Sequence, residues 1–197
     1  MASNPKDAPQ HYYSLDEYFA LEHAGDARYE YWDGEIVCMS GGSKEHAQIC
    51  SNVHYRLRQK LEGGPCRAFT SEQPIKTPTL LPYRYPDVVV GCNDLNFESM
   101  RRIDALINPV LIVEVTSPSS ELRDRENKFK AYQAMPGFQE YLLITQDAPR
   151  VTHYVRQPDG QWTSEDITDV SASVVLERVG CTLSMQEIYE DVRFAGV

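Results

Sequence analysis

The sequence predicts an α/β fold with a central mixed β-sheet flanked by helices, and three observations predict it. Two runs rich in β-branched residues, Val88-Val89-Val90 and 110–115, have the continuous apolar character of central strands. Two longer stretches, 44–61 and 122–135, read as covering helices; the first repeats Ala47, Cys50, Val53, Leu57 and Leu61 at three- and four-residue intervals. The order is hairpin, helix, three strands, helix, then further strands, which places one helix on each side of the sheet.

Residues 14–21 open with a capping serine, carry Asp16 and Glu17 in the first turn, and space their apolar residues as a short helix does. Residues 28–32 and 35–39 flank Asp33-Gly34, a pair suited to the positive φ values of a tight turn, and form a hairpin. The loop Ser40-Gly41-Gly42-Ser43 leads into the first long helix, which Gly63-Gly64-Pro65 ends. Residues 66–76 read as a strand, 77–83 as a proline-rich loop, and 93–109 as a looser loop before the second apolar strand. Ser117-Pro118-Ser119 stops that strand, and Pro136-Gly137 closes the second helix. A strand over 140–144, a pair over 151–156 and 161–167 across Asp159-Gly160, and a short amphipathic segment over 183–189 complete the chain.

A length of 197 residues suffices for one sizeable core, so a single domain over 12–197 is expected after a disordered tail over 1–11. No apolar run approaches a membrane span, and the first residues have neither the basic start nor the apolar core of a signal peptide, so a cytoplasmic protein is expected. Cys38, Cys50, Cys66, Cys92 and Cys181 form no CxxC pair and are odd in number; reduced, mostly buried thiols are expected. A net charge of −10 excludes a large basic surface for tight, sequence-independent nucleic-acid binding. Local clusters remain available to a strand: Arg56, Arg58 and Lys60, then Arg101 and Arg102, then Arg123 and Arg125.

Two acids stand out against the apolar runs. Asp87 heads the 88–90 strand and Glu114 lies inside 110–115, where a buried carboxylate is costly unless a cation offsets its charge. With Lys128 on the second helix they have the composition of a metal-dependent phosphodiesterase centre. The competing reading has two strand-end acids capped by amides or arginine, and Lys128 as an i,i+4 partner of Asp124 on a solvated face. Lys130 points roughly 200° away around the helix, so it and Lys128 cannot both serve. The 40–43 loop precedes a helix N-terminus, where free amides attract anions. With Ser43 as N-cap, His46 falls in the first turn, and both are candidates for holding a phosphate, against a plain capping loop with a half-buried histidine. Glu30, Glu35 and Glu72 could reach the outer shell of a metal but are read as surface or hairpin residues, and Tyr12, Tyr13, Tyr18, Tyr29, Tyr31 and Trp32 as packing rather than base-stacking groups.

Several spaced segments carry a resemblance. They are Arg28 to Val37, Met39 to Ser43 with His46, Pro86-Asp87-Val88, Val113-Glu114-Val115 with Ser117-Pro118-Ser119, and Asp124, Lys128 and Tyr132 with Glu140-Tyr141. Together they resemble the PD-(D/E)XK nuclease superfamily, and within it the Uma-two family of endonucleases, long carried as a domain of unknown function. The resemblance implies a restriction endonuclease-like core, with Asp87 and Glu114 holding Mg2+ or Mn2+. In that superfamily a lysine usually follows the second acid by two positions, where this chain has Thr116; the resemblance implies that Lys128 replaces it. The activity implied is hydrolysis of DNA, with RNA not excluded, by a homodimer whose two centres address two strands. The alternative is a catalytically silent nuclease-fold module that binds nucleic acid or a protein partner.

Overall fold

The computed structural model describes residues 12–25, 28–32, 34–39, 42–78, 83–118 and 120–194, so the expected tail over 1–11 lies outside the described residues, as do Asp33, Ser40, Gly41 and Ser119. Six strands form the central sheet: β3 (Cys66–Thr70), β6 (Val88–Cys92), β9 (Pro109–Thr116), β10 (Glu140–Thr145), β11 (Val151–Arg156) and β12 (Trp162–Ile167). Their spatial order is β12-β11-β10-β9-β6-β3, with β9 and β10 parallel and every other pair antiparallel. The sheet is therefore mixed, and the parallel pair demands a crossover, which the second helical region supplies.

Helix α2 (Lys44–Lys60) buries Ile49, Val53 and Leu57, spaced four apart, on one sheet face against Val88, Val90, Leu111 and Val113. The opposite face, with Val89, Ile112, Tyr141 and Leu143, is covered by Tyr132 and Met135. Strand alternation divides the two cores, since neighbouring residues of one strand point to opposite faces. The crossover is not a uniform α-helix. Arg123–Lys128 is a π-helical segment that continues into α3 (Phe129–Gln133), and Asp124 accepts the Phe129 amide five residues on. Helical periodicity alone does not separate a π turn from an α turn.

A third cluster unites α1 (Leu15–Ala24) with the hairpin of β1 (Tyr29–Trp32) and β2 (Glu35–Cys38). Ser14 and Glu17 cap each other's amides in a capping box, and Gly25, at φ 78, ends the helix. Tyr18 and Tyr83 stack at 5.8 Å, and Tyr18 and Tyr31 meet at 5.4 Å, so these aromatics pack as expected. Tyr12, by contrast, is 64% exposed.

Three readings are corrected. The segment 66–76 breaks at a turn, leaving only β4 (Ile75–Lys76) beyond β3, and β4 joins a separate four-stranded sheet with β5 (Tyr83–Arg84), β7 (Phe97–Met100) and β8 (Ile103–Leu106). The expected loop over 93–109 thus contains a hairpin. Its turn residues are Arg101 and Arg102 at φ 47 and 70, a pair that carries none of the usual turn chemistry. Near the C-terminus, β13 (Ser173–Leu176) and β14 (Cys181–Ser184) form another hairpin before α4 (Met185–Ile188). The cysteines differ too. Cys66 and Cys92 stand directly opposite on β3 and β6 and are disulfide-bonded, a proximity created by strand register across 26 residues. Of the free thiols Cys38 is exposed while Cys50 and Cys181 are half-buried. No helix among the described residues is long and apolar enough to cross a membrane.

Candidate active site

Strand register brings the two acids together. Val88 of β6 pairs with Val113 of β9, so Asp87, just before β6, falls beside Glu114. One Asp87 oxygen accepts the Val115 amide at 2.6 Å, which fixes the carboxylate against the neighbouring strand. Glu114 is 3% exposed and faces the crossover helix. Both acids line a cleft of about 200 Å³ together with Glu30, His46, Asp124 and Lys128.

The π segment and α3 carry the groups that meet Glu114. Lys128 Nζ donates to both Glu114 oxygens at 3.1 Å, and the Tyr132 hydroxyl donates to Oε1 at 2.7 Å. Lys128 also lies 3.3 Å from Glu30 and 3.5 Å from Asp124. The i,i+4 pairing with Asp124 therefore exists, but it is buried rather than solvated. Tyr141 donates to the Asp124 carbonyl at 3.1 Å, tying the widened turn to β10. Lys130 is exposed and outside the cleft, and Thr116 is buried with its hydroxyl 3.0 Å from that of Ser120.

From the other side, α2 delivers His46. Ser43 is the N-cap: its hydroxyl accepts the His46 amide at 3.1 Å and donates to Gln146 at 3.2 Å. The imidazole Nε2 lies 3.3 Å from Asp87 Oδ1, and a Cβ on Gly42 would fall 2.6 Å from Nδ1. The ring is thus held between a glycine and a carboxylate. His46 lines the cleft, whereas Ser43 is not among the lining residues and serves as a helix cap.

Four carboxylates, Glu30, Asp87, Glu114 and Asp124, share this cleft with two basic groups, Lys128 and His46. Burial is the largest influence on Glu114 and pushes its carboxyl well up; Lys128 opposes this, while Asp87, Asp124 and Glu30 add to it. Burial alone would lower the Lys128 pKa, but Glu114, Glu30 and Asp124 outweigh it and keep the ammonium charged. The hydrogen bond to Asp87 raises His46 above its usual range against the effect of burial. Such an excess of hard oxygen donors has the chemistry that suits a small divalent cation.

Glu30 is a correction. Read from sequence as a hairpin or surface residue, it is 4% exposed, touches Lys128, and accepts the Tyr85 amide at 3.4 Å. The hairpin is buried on both faces, Tyr31 toward α1 and Glu30 toward the cleft; the aromatic residues on either side of Glu30 are the available signal. Glu35 is exposed and Glu72 pairs with Arg28 at the surface, as expected. The basic clusters are largely engaged: Arg56 with Glu190, Lys60 with Glu187, Arg101 with Asp16 and Arg125 with Glu121.

A mixed sheet with acids on adjoining antiparallel strands and a buried lysine on the crossover defines a nuclease-like α/β fold. A solved structure from Anabaena variabilis, described as a putative nuclease belonging to DUF820, has this fold, with a TM-score of 0.71 over 90% of this chain and 97% of that one at 22% identity. Residues 15–186 match the Uma2 family, described as "Putative restriction endonuclease", and the chain belongs to that family. Two Synechocystis proteins are similar along their length. "Uncharacterized protein slr1290" is 33% identical over 98% of this chain and 100% of its own, and "Uncharacterized protein sll1609" is 32% identical over 80% and 89%.

Proposed function

We propose that this chain is a divalent-cation-dependent endonuclease that hydrolyses phosphodiester bonds in DNA, with Asp87, Glu114 and Lys128 as its catalytic residues. One observation carries the reading: a strand-head acid, a mid-strand acid and a crossover lysine, distant in sequence, line one cleft in which carboxylates outnumber cations. Asp87 and Glu114 would hold Mg2+ or Mn2+. When bound, the ion polarises the scissile phosphate and makes a water more acidic.

The chain's own residues do the rest. Lys128, kept charged by its neighbours, supplies positive charge where negative charge develops on the phosphate oxygens. Tyr132 holds Glu114 by the hydroxyl hydrogen bond, which fixes the carboxylate's orientation. His46, whose proton affinity Asp87 raises, offers the cleft a second cationic group whenever it is protonated, and Ser43 anchors the helix end that carries it. The working unit in this reading is one nuclease-like domain over 12–197, acting in the cytoplasm as a homodimer that presents one cleft to each strand.

A second reading has one observation in its favour. Lys128 is already shared among three carboxylates, as a purely structural lysine in a silent binding module would be. Incubation of the protein with supercoiled DNA, single-stranded DNA and RNA, with Mg2+ or Mn2+ across a range of salt, separates the two. Cleavage of DNA that Asp87→Asn abolishes supports the nuclease. Binding without cleavage of any substrate replaces it with the silent module, and preference for RNA reassigns the substrate.

A further inference from the structure

Cys50, which the phosphodiesterase chemistry does not use, forms a constellation with His46 and Asp87, two residues of the cleft. His46 and Cys50 are one helical turn apart on α2, at i and i+4, so both side chains leave the same face. Asp87 reaches them from the head of β6. One donor atom from each residue lies within 4.8 Å of the other two. His46 Nε2 is 3.3 Å from Asp87 Oδ1, and Cys50 Sγ lies 3.5 Å from Nδ1 and 3.9 Å from Nε2 of the same ring.

Those separations have a meaning in coordination chemistry. Around a tetrahedral zinc ion, with Zn–N and Zn–O near 2.1 Å and Zn–S near 2.3 Å, nitrogen and oxygen ligands sit about 3.4 Å apart, and nitrogen and sulfur about 3.6 Å. The His46–Asp87 spacing approaches the first value, and Sγ, which stands nearer Nδ1, must rotate toward the Nε2 edge of the ring to reach the second. The donor set is also selective. Thiolate and imidazole suit Zn2+ and disfavour Mg2+, which takes oxygen ligands. Three protein ligands leave a fourth position, and the cleft beside His46 and Asp87 has room there for water.

We propose that His46, Cys50 and Asp87 form a Zn2+ site that shares Asp87 with the Mg2+ or Mn2+ site, so that the two ions exclude each other. Binding converts the Cys50 thiol to a thiolate, with its proton released to solvent, and turns Asp87 Oδ1 toward zinc. A soft-metal site thereby becomes an inhibitory switch on the oxygen-ligated one. The exclusion rests on Asp87 as a ligand of the hard cation, while zinc binding stands without it.

Cobalt(II) serves as the probe for binding, because Co2+ bound to thiolate gives a near-ultraviolet charge-transfer band. The band should appear at one equivalent in wild-type protein and in Cys38→Ser, and be absent in Cys50→Ser and His46→Ala. Zn2+ should bleach it, and Cys50→Ser should weaken Zn2+ binding by more than about 100-fold in a chelator competition, exceeding the typical cost of losing an outer partner of a ligand. A band that survives in Cys50→Ser, or vanishes in Cys38→Ser, overturns the site. Exclusion is read from the electron paramagnetic resonance of free Mn2+. One equivalent of Zn2+ should release bound Mn2+ from wild type but not from Cys50→Ser, and coexistence of both ions overturns the shared ligand. Absence of Mn2+ binding with the cobalt band intact contradicts the hard-cation site and the exclusion together, and leaves zinc binding upheld.

Discussion

Lys128 is buried among Glu114, Glu30 and Asp124, and its removal has two separable consequences. Leaving three carboxylates buried without their cation should destabilise the fold by about 3–5 kcal/mol, and losing the charge near the reacting oxygens should slow cleavage by about 10²–10³. Lys130→Ala, on an exposed position, should do neither. Equal cleavage rates in Lys128→Ala and Lys130→Ala, compared at a temperature where both are folded, would sink the lysine's catalytic role. His46 gives a pH signature. Asp87 raises its folded pKa above the usual value near 6.5, so its contribution to stability is complete below that value and fades as pH rises through the folded pKa. The melting-temperature gap between wild type and His46→Gln should therefore be wider at about pH 5 than at about pH 9. A gap independent of pH contradicts the His46–Asp87 pair. At this scale the sequence singled out Asp87 and Glu114, because acids beside β-branched residues advertise their cost, while Lys128 came from the family resemblance, and the structure brings all three to one cleft. Glu30 was hidden because its partner is distant: the 98-residue separation from Lys128 is closed only when the hairpin docks.

The crossover element positions Asp124, Lys128 and Tyr132 around Glu114 through a π turn that the sequence pattern represents as α-helix. One residue fewer would restore α geometry, and each residue rotates the helix by about 100°. Deleting Glu126, an exposed position, should keep the far-ultraviolet helix signal while changing Asp124 and Lys128 from an i,i+4 to an i,i+3 pair, shifting both against Glu114 and abolishing Mn2+-supported cleavage. Undiminished cleavage would show that the widened turn is dispensable. Just before α2, Gly42→Ala places a methyl 2.6 Å from the His46 ring and should displace it, giving the same loss of stability, wider at acid pH, as His46→Gln. The long elements were legible because their periodicity spans several turns or a whole strand. The 97–106 hairpin and the Cys66–Cys92 bridge were not, since one turns on two arginines and the other depends on strand register.

For the whole molecule, charge sets the balance. A chain at −10 with four carboxylates in one cleft stores repulsion that the proposed divalent cation would relieve in the folded state. Mn2+ at about 100 times its dissociation constant should thus stabilise the fold by about 2.7 kcal/mol, and Asp87→Asn, which keeps an acceptor for the Val115 amide, should lose that gain. Stabilisation by Mn2+ that is unchanged in Asp87→Asn would place the ion elsewhere. The most direct measurement is anomalous scattering at the manganese edge from crystals of the protein soaked in Mn2+. A peak is expected between the carboxylates of Asp87 and Glu114 that disappears in Asp87→Asn crystals; no peak there at saturating Mn2+, or one that persists in the variant, contradicts the metal centre on which the proposed function stands.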